Sequence, residues 1–373
     1  MIPDIEKAMS WLKDNNCHVV VIESTGKYWI PVFNLMEGHF LLTLANPHFT
    51  KTFPGNKTDR RDAKWLAELH RLGLVQPSFI PPRPIRELRD LTRYRFKLVK
   101  ARTSEKSRIH NILTVCNIML SSVATDIFGK SGMNIIRALF EGGEMDEETL
   151  SKMVYGKLKG KLQDLIPALR GQLTQSQADK LQIALENYEN FNGKIARIEK
   201  LIHTKAEPFK CEIDKLCTCF AIKRVSAIGI LAEIGSDMSV FPSSRHLCSW
   251  AGLCPENNET GGKRKSAKTK RGNLYLKSIL TQCVNAMSRS KANSHFVARL
   301  LSLKVRRGHS KAVIAVCRSM LVSIYNMLLK DENYRDYIPK STAKQKVISS
   351  KALTDEELIL ELEKRGYKLK PTS

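Results

Sequence analysis

Over residues 4–15, DIEKAMSWLKDN, apolar residues recur every three to four positions and place Ile5, Ala8, Met9 and Leu12 on one face. The spacing predicts a helix, with Asp4 at its N-cap. The period then changes. HVVVIE (18–23) is a short continuous apolar run that closes on Glu23 and predicts a buried strand; STGKYW turns the chain. A helix near 29–37 and a second strand at HFLLTLA (39–45) follow, then a loop holding Pro47 and Pro54, then a helix that opens with Asp59. Helix alternating with buried strand is the pattern of a parallel sheet with helical crossovers. In such sheets ligands collect at the carboxyl ends of the strands, where Glu23 falls.

The loop VQPSFIPPRP ends that region, and from Pro84 the pattern is one long helix reaching to about Cys116. On it Arg86, Arg89, Arg93, Lys97 and Lys100 recur at spacings of 3, 4, 4 and 3, so they form a single basic stripe. Asp90 and Glu105 offer few local partners, which favours phosphate contact over a merely solvated face. Residues 145–210 are helical in pattern; Leu181, Ile183, Leu185, Ile195, Ile198, Leu201 and Ile202 suit a helical hairpin or coiled-coil arm for dimerisation or spacing. The segment 219–253 reads as two short helices joined by a glycine turn. From Thr354, TDEELILELEKRG carries a capping box to Glu357 and a stop at Gly366, an accessory helix.

Composition narrows the class. A chain of 373 residues, 42% hydrophobic, suffices for two or three domains. No run of 18 apolar residues occurs, and the N-terminus lacks the order of a signal peptide, so a soluble protein kept inside the cell is expected. The nine cysteines lie mostly in apolar runs without the spacing of a disulfide framework. Cys211, Cys217, Cys219 and His203 lack a CxxC pair and read as ordinary thiols rather than a zinc site.

Charge changes the picture more. The net charge is +24, and from Thr260 to Lys330 there are 16 lysines and arginines with no Asp or Glu. A block so one-sided implies a polyanionic partner. Its glycine turns make a membrane the weaker choice, because no single amphipathic helix runs through it. Within and around it Lys263, Arg264, Lys265, Lys268, Lys270, Arg271, Arg306, Arg307 and Lys311 are the expected nucleic-acid contacts, beside the stripe on the long helix.

Two acids stand out against this background. Asp59 and Asp62 are three residues apart at a helix start, which by itself is an ordinary cap. Glu23, at the end of a buried strand, leaves the same sheet edge from which that helix would depart. Carboxylates converging from a strand end and a helix start are suited to hold two Mg2+ (or Mn2+) ions about 4 Å apart for phosphodiester chemistry.

These residues also carry a resemblance. VIESTGKYW, NKTDRRDAKWLAELHRLGL, SFIPPRPIRELRDLTRYR, AEIG, SWAGLCPENNETGGKRKS, KRGNLYLK and RRGHSKAVIAV occur in an order that resembles the DEDD transposases of bacterial insertion sequences, from about residue 5 to 330. The resemblance implies an α/β plus α architecture. A truncated RNase H-like (RuvC-like) parallel-sheet domain (1–95) leads into a helical, coiled-coil region (96–210). A mainly α transposase domain with a helix-turn-helix and a basic loop follows (211–335), then a helical tail (336–373). It further implies that Glu23, Asp59 and Asp62 are metal ligands, and that a structured guide RNA (a bridge RNA) directs a homo-oligomeric, nucleoid-associated, cytoplasmic enzyme to DNA.

The sequence departs from the family in two places. The family's first acid lies on a strand ahead of the helix at which this chain opens, so an N-terminally truncated member is expected. The serine that the resemblance implies as nucleophile, forming a covalent phosphoserine link, is here Thr260, whose methyl stiffens the rotamer and crowds an in-line approach. A smaller difference is Ala221, at a turn position the family gives to glycine; if positive φ is needed there, alanine costs about 1 kcal/mol. The rival expectation is a DNA- or RNA-binding remnant without catalysis.

Overall fold

The computed structural model describes residues 2–46, 58–143, 145–255, 258–261, 263–266, 268–290 and 294–336. The chain forms two compact units, one of residues 1–214 and 224–243, the other of residues 215–223 and 244–373.

The first unit opens with α1 (Ile2–Asp14), β1 (Val19–Glu23), α2 (Trp29–Met36) and β2 (Leu41–Ala45). β1 and β2 pair in parallel from Val19 opposite Leu41 to Glu23 opposite Ala45. The crossover through α2 is what brings two strands of one direction side by side. Ile5 from α1 and Met36 and Phe40 from the α2 end form a small core, with Met9, Leu12, Val20 and Leu42 packed on it. The predicted stripe of α1 is thus the face it buries. The outer edge of β2 is met by the 77–78 segment, where the Ser78 amide donates to the Leu44 carbonyl at 2.7 Å. β1 departs from expectation: it is half-exposed along its length and Val19 is 50% exposed. Among the described residues β1 pairs with β2 alone.

α3 (Asp59–Arg71) packs on β1 and leads to α4 (Arg83–Val115). Two capping expectations are corrected. Asp4 lies inside the first turn of α1, which begins at Ile2, and the cap of α3 is Thr58, whose hydroxyl accepts from the Arg61 amide at 3.4 Å. Thr58 has the extended backbone an N-cap needs, which places both aspartates within the helix.

Beyond α4 come α5 (Leu120–Val123), α6 (Lys130–Phe140), α7 (Glu147–Met153), α8 (Leu162–Ala168) and α9 (Gln175–Ala206). α9 lies antiparallel along α4: Lys205 pairs with Glu87 (2.8 Å), Arg95 with Glu199 (2.6 Å), and Arg102 donates to Asn192 (3.0 Å). The coiled-coil pattern of α9 therefore has a partner in its own chain. Leu181, Leu185, Ile195, Ile198 and Ile202 are buried, whereas Ile183 and Leu201 remain exposed. The short helices α5 to α8 close a second core on the far end of α4 around Ile109, Leu113, Ile135, Leu150 and Leu165. The boundary expected at residue 95 falls inside α4.

α10 (Lys210–Cys217) carries the division between the units, and α11 (Arg224–Ile234) belongs to the first, packed on α4. Between them Ala221 has φ +65°, so the turn does require the left-handed conformation that glycine adopts freely.

The second unit holds α12 (Ser244–Trp250), an antiparallel ribbon of β3 (Asn258–Thr260) and β4 (Lys263–Ser266), α13 (Leu274–Met287), α14 (His295–Arg307) and α15 (His309–Lys330). α15 is its central helix, packed against α12, α13 and α14. It is the one described helix long and apolar enough to cross a membrane, yet its residues Val313, Val316, Cys317, Met320, Leu321 and Ile324 are core. The accessory helix expected from Thr354 lies outside the described residues.

Candidate functional site

Three groups of predicted residues fall in three different settings. The acids come first. Glu23 ends β1 and is exposed; its carboxylate accepts from the hydroxyl of Thr25. Asp62, Trp65 and Leu69 are half-buried and Leu66 is buried, so Asp62 lies on the packed face of α3, with Asp59 one turn earlier and exposed. A plain cap would not need a half-buried acid at the fourth helical position. The donor chemistry is right for a hard divalent ion. The side chains nevertheless do not converge: no group of three or more His, Cys, Asp or Glu placed to hold a metal is present among the described residues. Burial pushes the Cys219 thiol up to about 12.

The basic stripe divides. Arg86 donates to both oxygens of Glu37 (2.8 and 2.5 Å), to Asn34 (3.0 Å) and to the Pro81 carbonyl (3.0 Å), and lies over the Phe33 ring. Arg89 donates to the carbonyls of Ala232 (2.9 Å) and Glu233 (2.7 Å), and Arg93 grips the Glu233 carboxylate through two bonds of 2.8 and 2.7 Å. Burial pushes the Arg89 guanidinium down to about 10, with Glu233 opposing the shift. In the free chain these three are thus engaged as internal ties, with partners from residues 37, 232 and 233, far away in sequence. Lys97 and Lys100 stay exposed, Lys100 resting against the Phe96 ring. Glu233 was missed, although a single acid inside the apolar run GILAEIG is a signal that buried cations must be near.

The third setting is the ribbon. Thr260 pairs directly with Lys263, so the turn between them is two residues long, and it opens on Gly261 with φ +58°. For 258–260 and 263–266, which include Thr260, Lys263, Arg264 and Lys265, the backbone is what is described. At the ribbon's base Pro255 bridges Thr269 and the Lys270 amide donates to the Cys254 carbonyl at 3.3 Å. There the SWAGL and KRGN motifs meet backbone to backbone: a Cβ on Gly272 would lie 2.3 Å from the Gly252 nitrogen, so only glycine permits the contact. Lys277 ties the same point, donating to Thr269 Oγ1 (3.0 Å) and the Gly252 carbonyl (3.4 Å), and Asn273 caps α13 through the Leu276 amide (3.0 Å).

Beside the ribbon base, α14 and α15 frame a groove of about 900 Å³. Of the predicted contacts, Lys268, Arg307 and Lys311 line it. Lys270, Arg271 and Arg306 are exposed elsewhere on the same unit. Arg299 and Arg318 also line it and were not singled out from the sequence.

Comparisons with known proteins find transposases over much of the chain. A DEDD transposase model of the IS110 type matches residues 3–118, and one described as "Transposase IS116/IS110/IS902 family" matches residues 213–299. A "Probable family 20 transposase" of Pseudomonas aeruginosa is 25% identical over 329 residues, covering 85% of this chain and 86% of that protein. The "Transposase for insertion sequence element IS1111A" of Coxiella burnetii is 23% identical over 326 residues, covering 85% of this chain and 79% of that one.

Proposed function

We propose that this chain is an insertion-sequence transposase of the IS116/IS110/IS902 type and that it breaks and rejoins DNA phosphodiesters through the hydroxyl of Thr260. The observation that carries the reading is the anchored ribbon, which presents Thr260 one residue before a glycine turn while Gly252, Gly272 and Lys277 fix its base. A nucleophile needs such a mount, since misplacement by an ångström costs orders of magnitude in rate. In the first step Thr260 Oγ bonds to phosphorus as the bond to the departing sugar oxygen breaks; the threonine hydroxyl loses its proton and the departing oxygen gains one. The phosphothreonine ester conserves the bond energy, and attack by a second strand's hydroxyl reverses the exchange at a new partner.

Glu23, Asp59 and Asp62 are, on this reading, the acids that answer to Mg2+ or Mn2+, whose contribution when bound is to neutralise charge at the phosphate. They do not converge among the described residues, and the exchange itself runs through the Thr260 hydroxyl. The acid-free block supplies phosphate contacts to DNA and to a guide RNA, and the enzyme works as a homo-oligomer.

A denaturing gel of labelled donor DNA, with guide RNA and Mg2+, tests the reading. A covalent protein–DNA adduct should form, increase with Thr260→Ser as the methyl crowding is relieved, and vanish with Thr260→Ala. An adduct that survives Thr260→Ala places the nucleophile elsewhere. Binding with no adduct from either hydroxyl variant supports the remnant instead.

A further inference from the structure

The α14–α15 groove has a composition that a duplex surface does not call for. Arg299, Leu303 and Arg307 share one face of α14 at intervals of four. Lys311, Ile314, Ala315, Arg318 and Val322 share one face of α15. Cations therefore stand along both helical rows, with an apolar floor between them. Along α14 the two arginines are eight residues apart, about 12 Å at 1.5 Å per residue. No acid lines the groove, and none of Arg299, Arg307, Lys311 and Arg318 is in an ion pair among the described residues.

The apolar floor is surplus to folding. α15 already gives a full face to the core through Val313, Val316, Met320 and Ile324, and Ile314, Ala315 and Val322 remain half-buried on the other side. Water-facing helices do not carry such a second apolar face without a reason. A double helix presents phosphates at its surface and keeps its base faces stacked inside, so it can use the cations but not the floor. An unpaired strand offers both.

We infer that this groove seats an unpaired stretch of nucleic acid, with its phosphates at Arg299, Arg307, Lys311 and Arg318 and its bases against Leu303, Ile314, Ala315 and Val322. The inference rests on the reading of the chain as a transposase acting on nucleic acid, and adds to it a site beside the base of the Thr260 ribbon that selects strands already open.

Fluorescence anisotropy on the full chain tests it, with one labelled oligonucleotide presented single-stranded or annealed to its complement. Ala315→Phe narrows the floor without altering charge. It should weaken single-strand binding by about fivefold or more, an overpacking effect, and leave duplex binding nearly unchanged. Arg299→Gln with Arg318→Gln should flatten the salt slope for the single strand by about 1.4, at about 0.7 for each phosphate that is no longer neutralised. Circular dichroism and the thermal midpoint check that each variant is folded. Equal loss for both forms, or no loss with Ala315→Phe, overturns the inference while leaving the transposase reading intact. Failure of the unaltered chain to bind either form overturns both. If Ala315→Phe alters only the sedimentation of the free protein, the groove is a contact between copies and the inference falls.

Discussion

Glu233 is 1% exposed and sits in an apolar helix, and it is held there by Arg93 through two charge-assisted bonds and by Arg89 at 3.7 Å. Removing the acid leaves Arg89, already pushed down to about 10 by burial, without its main compensating charge. Glu233→Ala should therefore cost about 3–5 kcal/mol in urea unfolding of the chain, the loss expected when one partner of a buried pair is deleted. Glu233→Gln, which keeps hydrogen-bonding capacity, should cost less; equal cost would mean that charge is not what matters there. Glu37 makes the pH-dependent counterpart at the surface. Its bonds to Arg86 hold its carboxyl below the ordinary 4.5. That contribution is complete above about pH 4.5 and is lost as pH falls through the lower folded value. The urea midpoint of the native chain should fall more steeply below pH 4.5 than that of Glu37→Gln. Parallel curves would show that the pair contributes nothing.

At the scale of elements, the parts that repeat were legible and the parts that depend on distant partners were not. The stripes of α1 and α9 and the crossover from β1 to β2 follow from apolar spacing, which local geometry converts directly into a buried face. The basic stripe on α4 has an equally regular spacing, but its meaning lay in Glu37 and Glu233, which no local window contains. Thr58 rather than Asp59 caps α3 because the backbone turns one residue earlier than charge alone suggests. The ribbon was visible as motifs without their reason, which is the meeting of Gly252 with Gly272. Gly272→Ala should force those segments apart and cost about 1–3 kcal/mol, as overpacking does. Lys277→Met should speed amide exchange at the ribbon base with a smaller loss of stability, and unchanged exchange would remove Lys277 from its role as a tie. Ala221 offers the opposite sign. With φ +65° it is strained, so Ala221→Gly should stabilise by about 1 kcal/mol, less the entropy that glycine costs the folded state.

For the whole molecule the decisive quantity is where the charge goes after folding. The net charge is +24, but Arg86, Arg89, Arg93 and Arg95 are all committed to internal acids, so the first unit has less to offer phosphates than its sequence suggests. In the second unit 16 lysines and arginines lie between Thr260 and Lys330 without one acid in sequence to oppose them. Non-specific affinity for nucleic acid should accordingly be governed by that unit. Measured on duplex DNA, log K should fall linearly with log salt, and replacing Lys263, Arg264 and Lys265 together by Gln should flatten the slope by about 0.9 for each phosphate these residues neutralise. Replacing Arg86 and Arg93 by Gln should instead lower stability while leaving the slope of the surviving folded protein unchanged. If the slope responds to the α4 arginines and not to the ribbon lysines, the internal pairs open on binding, and the charge that reads as structural in the free chain is the charge that meets the DNA.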